Sequence, residues 1–267
     1  MKKLHIYLIV ISLSSFISCV DEITPDFEFE EQVFISGLMT DKEDFVSVQI
    51  QKTVPVTDTT VSIVNDAQIS LYTRDASNTV SLVSDSFAVT DGIYTTTEVI
   101  TPVTGNTYWI EVMLQDQTMY RSEEEILKPP IPILDLVKID NTVRITFRDQ
   151  LGEQNFYLGR IEILRNGTLL TNELLVFNDT IITDDLEESL EISIVNDGDT
   201  VRVSAYTINF NTFQFYSNIL GEDRDNLDIS SLFSPINIVG NITNTTTNKL
   251  ALGNFGVAGF STMTMDF

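Results

Sequence analysis

From Gln32 onward the apolar residues recur at every second position, and that period limits what this chain can become more than any other feature. Phe45-Val46-Ser47-Val48-Gln49-Ile50-Gln51 sets Val46, Val48 and Ile50 on one face and polar residues on the other, the pattern of a half-buried strand. Val33–Gly37, Ala67–Thr73, Thr79–Ser84, Gly92–Thr97, Thr107–Gln115 and Thr118–Ser122 read the same way. Asp75-Ala76-Ser77-Asn78, Asp91-Gly92 and Gly105-Asn106 punctuate them as turns. No stretch of ten or more residues keeps an apolar stripe at helical spacing with caps. The class is all-β.

Lys128-Pro129-Pro130-Ile131-Pro132 interrupts the alternation. Proline gives no donor to a strand ladder and stiffens extended chain, so a domain boundary is placed here. Strand-like runs resume at Val143–Phe147, Phe156–Arg165, Leu169–Phe177, Leu190–Ile194, Thr200–Ile208 and Phe213–Leu220. Asn166-Gly167 marks a hairpin, because both residues tolerate positive φ. Val201, Val203 and Ala205 alternate towards a tip at Asn209–Thr212, with Phe213 and Phe215 returning on the partner strand. Strands this short and this regularly spaced predict two tandem immunoglobulin- or fibronectin-like sandwiches. The expected parts are a leader over 1–18, an acidic tether over 19–31 and an N-terminal sandwich over 32–128. A fibronectin-type-III-like sandwich over 129–220 and a C-terminal extension with edge strands over 221–267 follow.

The leader begins Met1-Lys2-Lys3 and continues into the apolar run Leu4–Ile11. That is an export signal, too short to span a membrane. Phe16-Ile17-Ser18-Cys19 resembles a bacterial lipobox, with a small residue before the only cysteine. The resemblance implies cleavage between Ser18 and Cys19 and acylation of Cys19, whose buried methylenes would each contribute about 0.8 kcal/mol to membrane anchoring. Asp21-Glu22 resembles the acidic tag that sends lipoproteins of Bacteroidota to the cell surface.

Charge and composition exclude much else. Fifteen Lys and Arg face 39 Asp and Glu, a net charge of −24, so no basic surface is expected to neutralise nucleic-acid phosphates. The only histidine, His5, lies in the leader. A chain cleaved before Cys19 lacks histidine and a free thiol, which removes His-ligated zinc, Ser-His-Asp and Cys-His chemistry, and the usual haem and iron–sulfur ligands.

The carboxylate runs Asp184-Asp185 with Glu187-Glu188, Asp197 with Asp199, and Glu222–Asp228 read as solvated turns. None matches a calcium loop; Asn196-Asp197-Gly198-Asp199 comes nearest. No catalytic, cofactor or metal residue is assigned. Phe210, at the expected hairpin tip, is the one candidate binding residue, because exposed apolar groups on loops mark contacts. Tyr108-Trp109 reads as core. Thr262–Phe267 alternates and ends in Phe as membrane barrels do, but without ten-residue membrane-facing repeats it reads as an edge strand.

Ser231–Ile242 followed by Leu250-Ala251-Leu252-Gly253-Asn254-Phe255 resembles the closing segment of a family of Bacteroidota lipoproteins known as domain of unknown function 4249. Phe34–Thr40, Asn65–Leu71 and Ile126–Ile133 resemble its first strand, its second block and its Pro-rich junction. The resemblance implies a lipid-anchored outer-membrane protein at the cell surface, non-enzymatic, without cofactor, and an accessory ligand-binding or docking partner of a TonB-dependent transporter. Two other classes stay open: a surface-tethered carboxylate glycoside hydrolase, and an adhesion or envelope-scaffold module.

Overall fold

The structure, a computed structural model, describes residues 29–55, 58, 60–148, 154–179, 187–193, 196–220 and 238–267. The alternating segments are strands. The first half holds β1 (Val33–Thr40), β2 (Ser47–Lys52), β3 (Ser62–Ile63), β4 (Gln68–Arg74) and β5 (Val80–Ser84). It continues with β6 (Phe87–Thr90), β7 (Ile93–Thr96), β8 (Thr107–Met113), β9 (Met119–Ser122) and β10 (Glu125–Ile126). After the prolines come β11 (Ile133–Ile139), β12 (Thr142–Arg148), β13 (Phe156–Arg165), β14 (Thr168–Asn178), β15 (Glu187–Ser193) and β16 (Asp199–Ile208). Among the described residues one helix, α1 (Phe210–Leu220), precedes β17 (Val239–Asn244) and β18 (Lys249–Asp266).

In the N-terminal lobe the strands run β5-β4-β8-β9-β17-β18-β1-β2-β7-β6. β5 and β6 are the two ends of that order, yet only Asp85-Ser86 separates them in the chain. Three Cα–Cα steps reach at most about 11 Å, so the sheet must curl until its ends approach. Inside the curl lie Ile35, Val48, Ile50, Leu71, Ile110, Leu127, Phe255 and Val257, all buried.

The second lobe has the fibronectin-type-III strand arrangement. A three-stranded sheet, β11-β12-β15, faces β14-β13-β16 and the end of β18. Leu136, Val143 and Ile145 from one sheet meet Tyr157, Ile161, Val201, Val203 and Ala205 from the other. Asn166-Gly167 makes the β13–β14 hairpin with φ of 50° and 77°.

β18 serves both lobes. Leu252–Ala258 pairs parallel with Phe34–Thr40 of β1, and Gly259–Asp266 pairs antiparallel with Thr200–Thr207 of β16. The sandwich therefore takes its outer strand from the segment expected as an extension, and the first half of β18 is an inner strand flanked by β17 and β1. Gly259 sits where the two halves meet. A Cβ there would lie 2.4 Å from the Lys128 carbonyl and 2.6 Å from Pro130 N, so the Pro-rich segment lies directly on the strand.

The expected hairpin over 201–220 is corrected. Its second arm is α1, and the carbonyl of Asn209 accepts the Phe213 N–H at 2.9 Å as the first helical bond. Phe213 and Phe215 alternate, but Phe213, Tyr216 and Leu220 also recur at three and four residues. On the helix these three pack with Phe156, Leu158, Tyr206 and Ile208 on the outer face of the second lobe. Packing, not the two-residue period, decides this segment.

Candidate functional site at the junction of the lobes

Three consecutive acids, Glu123, Glu124 and Glu125, cross from β9 into β10 and have three different surroundings. Glu123 accepts from Asn211 Nδ2 of α1 at 2.5 Å. Glu124 accepts from Arg74 Nε and Nη2, both at 2.8 Å, and from Arg121 at 3.1 Å. Glu125, opposite Tyr108 in the β10–β8 pair, points inward and is 2% exposed.

The Glu125 carboxylate is met by donors from three elements. Thr212 Oγ1 of α1 lies 3.0 and 3.2 Å from its oxygens, and Asn209 Nδ2, one residue before the helix, lies at 3.4 Å. Asn241 Nδ2 of β17 donates at 3.0 Å, and the Val257 backbone N–H of β18 at 3.2 Å. Burial pushes the carboxyl up to about 7 against the pull of these donors, Thr212 first. The site thus fastens α1 and both C-terminal strands to the start of the Pro-rich junction. Alternation held one signal for it, since Glu125 shares a face with the buried Leu127. In a run of three acids that signal reads as a solvated turn.

Two other groupings stand out. A cleft of about 280 Å³ lies between β2, β3 and the β8–β9 turn, lined by Lys52, Asp66 and Asp116 among others. Lys52 donates to Glu31 at 2.7 Å, which holds its ammonium above the usual value, with Asp116 and Asp66 adding to the effect. On the outer face of β8, Trp109 is 3% exposed beneath the ring of Tyr72, 5.5 Å away, and the guanidiniums of Arg121 and Arg74 at 5.0 and 5.7 Å. Tyr108, its neighbour, does lie in the core; Trp109 is buried by side chains laid over the outside of the sheet, and its indole N–H has no hydrogen-bond partner.

Of the residues singled out in the sequence, Ser18, Cys19, Asp21 and Glu22 lie outside the described residues, as do Asp184, Asp185 and Glu222–Asp228. Phe210 opens α1 instead of tipping a hairpin. It is 50% exposed, with its ring 5.2 Å from that of Phe156. Asn196–Asp199 forms a turn at Gly198, φ 85°. Asp199 accepts from Arg165 at 2.7 and 3.0 Å and from the Asn196 N–H at 2.9 Å, and Lys138 pairs with Asp197 at 2.5 Å. Among the described residues no group of three His, Cys, Asp or Glu could hold a metal ion, and no helix is long and apolar enough to cross a membrane.

Fold and site together define a two-lobed, all-β sandwich protein whose halves share a strand and are fastened by a buried acid. The family is shown by the sequence: the model described as "Domain of unknown function (DUF4249)" matches residues 20–264, and the chain belongs to that family. None of the curated proteins matches it. Among solved structures, the chicken interferon gamma receptor alpha chain overlaps 67% of this chain and 89% of its own, at 11% identity and a TM-score of 0.22. A chain of a cytokine receptor complex overlaps 65% and 82%, at 9% identity and 0.27. Trypsin-activated alpha-2-macroglobulin from Escherichia coli overlaps 68% and 15%, at 10% identity and 0.23.

Proposed function

We propose that this chain is a non-catalytic lipoprotein of the outer membrane, held by acyl chains on Cys19 and displayed at the cell surface as a ligand-binding or docking partner of a TonB-dependent transporter. The observation that carries the reading is the leader, in which the only cysteine of 267 residues follows a short apolar run and stands directly after a small residue, Ser18. The fold is compatible with such an anchor. Gln32 enters it by exchanging hydrogen bonds with Thr53, at 2.9 Å to the hydroxyl and 2.8 Å from the Thr53 N–H. The dozen residues between Cys19 and that point reach at most about 40 Å, enough to hold the body clear of a bilayer surface.

A binding role also suits the chemistry of the described residues. The most perturbed carboxylate, Glu125, is walled in by its own donors, and Asp199 is committed to Arg165. Both serve the frame, leaving surfaces and the Lys52 cleft for contacts.

The test joins anchor and partner. Cys19→Ala should lose palmitate label and move from membranes to the soluble fraction while melting like the unlipidated wild type. Neutralising Asp21 and Glu22 should keep the label and remove sensitivity to protease added to intact cells. A transporter should co-purify with the lipidated protein. A wild type that stays in membranes without label would sink the lipoprotein reading, and one that copurifies with no transporter would sink the docking role.

A further inference from the structure

Among the described residues, no charged group faces Glu125 from the elements that enclose it. β8 offers Tyr108, whose hydroxyl accepts from the Val103 N–H. α1 offers Asn209 and Thr212, and its one titratable residue, Tyr216, packs with the cluster on the second lobe. β17 offers Asn241; β18 offers Asn254 and the Val257 amide, with its charged residues, Lys249 and Asp266, at its two ends. The neighbouring acids are already engaged, Glu123 by Asn211 and Glu124 by Arg74 and Arg121.

The amides in this enclosure differ in freedom. Asn241 accepts the Phe255 N–H at 2.9 Å and donates to the Phe255 carbonyl at 2.8 Å, which fixes which end of its side chain faces Glu125. Asn209 is fixed by donating to the Ile126 carbonyl at 2.8 Å. Asn254 has no such constraint. It is 2% exposed, its Nδ2 donates to Thr212 Oγ1 at 3.0 Å, and its Oδ1 has no partner. An orphaned buried acceptor therefore sits on the amide that contacts the hydroxyl bound to Glu125. Turning that amide over brings Oδ1 to Thr212, since the torsion is close to two-fold.

We propose that Glu125, Thr212 and Asn254 form a proton-operated latch on helix α1, with two hydrogen-bonding states that differ in the direction of the Glu125–Thr212 bond. In the ionised state the Thr212 hydroxyl donates to the carboxylate and accepts from Asn254. When Glu125 takes a proton from water, its O–H donates to Thr212 Oγ1, and the Thr212 hydroxyl turns to donate to the reoriented Asn254 Oδ1. One proton is gained, no covalent bond other than the new O–H is formed, and Asn254 Oδ1 gains the partner it lacks while Nδ2 gives up its bond to Thr212.

The direction of the latch follows from linkage. Burial raises the carboxyl from 4.5 to about 7, and lifting α1 away returns it to water. The closed state binds the proton more tightly than the open one, so α1 is held hardest below about pH 4.5. That hold is lost as pH rises through about 7, and the opening constant grows by up to about 300-fold across the window.

Hydrogen exchange of residues 210–220 in the full mature chain, corrected for intrinsic rates, measures opening. Protection should fall by about 30-fold between pH 5.5 and 8 in the wild type and stay flat in Glu125→Gln. The infrared carbonyl band of a protonated carboxyl, taken as wild type minus Glu125→Gln, should titrate with a midpoint near 7. Asn254→Leu, which cannot accept the relayed bond, should lower that midpoint by at least one pH unit. The wild type alone can overturn the proposal, by showing no such band above pH 6 or pH-independent protection of α1. A midpoint unmoved in a folded Asn254→Leu would also overturn it, leaving Glu125 as a buried structural acid.

Discussion

Replacing Gly253 by Ala should be among the most damaging single-methyl additions in this protein. Gly253 has φ 99° and forms a bulge with Leu252, both opposite Val239 of β17. On its other side it pairs with Ile35, which is fully buried. A Cβ at this position would stand 1.9 Å from the Ile35 carbonyl oxygen, where ordinary contact begins at 3.4 Å. The obstacle is backbone, so β1 and β18 must part by about 1.5 Å. That stretches the nearest two or three rungs of the parallel ladder beyond hydrogen-bonding distance. Each lost bond costs about 1 kcal/mol, with no water present to replace it, and the left-handed conformation adds about 1–3 kcal/mol for a residue with a side chain. The total is about 3–6 kcal/mol, against a domain stability of about 5–15 kcal/mol, or a Tm lower by about 6–24 °C. Gly105→Ala is the control. Its φ is 90°, but nothing lies within 4 Å of the added methyl, so it should lose only the conformational part. Thermal melts of both variants decide the point. Equal, small losses would mean that the bulge relaxes freely and that the close approach of β1 and β18 is not what requires glycine.

Phe210→Ala should cost only about 1 kcal/mol, because half of the ring is already in water and Phe156 keeps its contacts with Phe213; a loss of many degrees in a thermal scan would place Phe210 among the residues that seat the helix. Asp199→Asn should change the acid side of the stability curve. The Arg165 hydrogen bonds hold the Asp199 carboxyl below its usual value, so its contribution is present above about pH 4 and lost as pH falls further. Urea midpoints should therefore differ between wild type and variant at pH 6 and converge near pH 2.5, and a constant gap at both pH values would refute the assignment.

The frame was legible where one physical rule acted alone. β2, β4 and β12 each have one face in a core and one outside it, and their alternation records that directly. The rule failed where a segment answers to neighbours far away in sequence. The segment Phe213–Leu220 carries both periods, and only the apolar outer face of β13 and β16, against which Phe213, Tyr216 and Leu220 pack, selects the helical one. Leu252–Ala258 is strand by pattern, but nothing local says that its partner is Phe34–Thr40, more than 200 residues earlier. Glu125 was hidden for the same reason. Its burial depends on Asn209, Thr212, Asn241 and Asn254, polar residues that look like turn and surface chemistry until the chain closes around them. The family resemblance, by contrast, was readable in the sequence, in Ser231–Ile242 followed by Leu250-Ala251-Leu252-Gly253-Asn254-Phe255.

This shared strand changes how the lobes can move. Two sandwiches joined by a flexible linker would swing about it. Here the linker itself is clamped: the Ile131 N–H donates to Thr207 Oγ1 at 3.0 Å, and its carbonyl accepts from Ser261 Oγ at 2.5 Å. Asp41, just beyond β1 in the first lobe, accepts the Phe260 N–H at 2.7 Å, on the second-lobe half of β18. Bending at the prolines would have to break these bonds and kink β18 at Gly259, where no room exists for the Lys128–Pro130 backbone to move inward. The soft degree of freedom is consequently α1, whose outer residues Phe210 and Asn211 meet solvent and whose inner ones rest on Glu125.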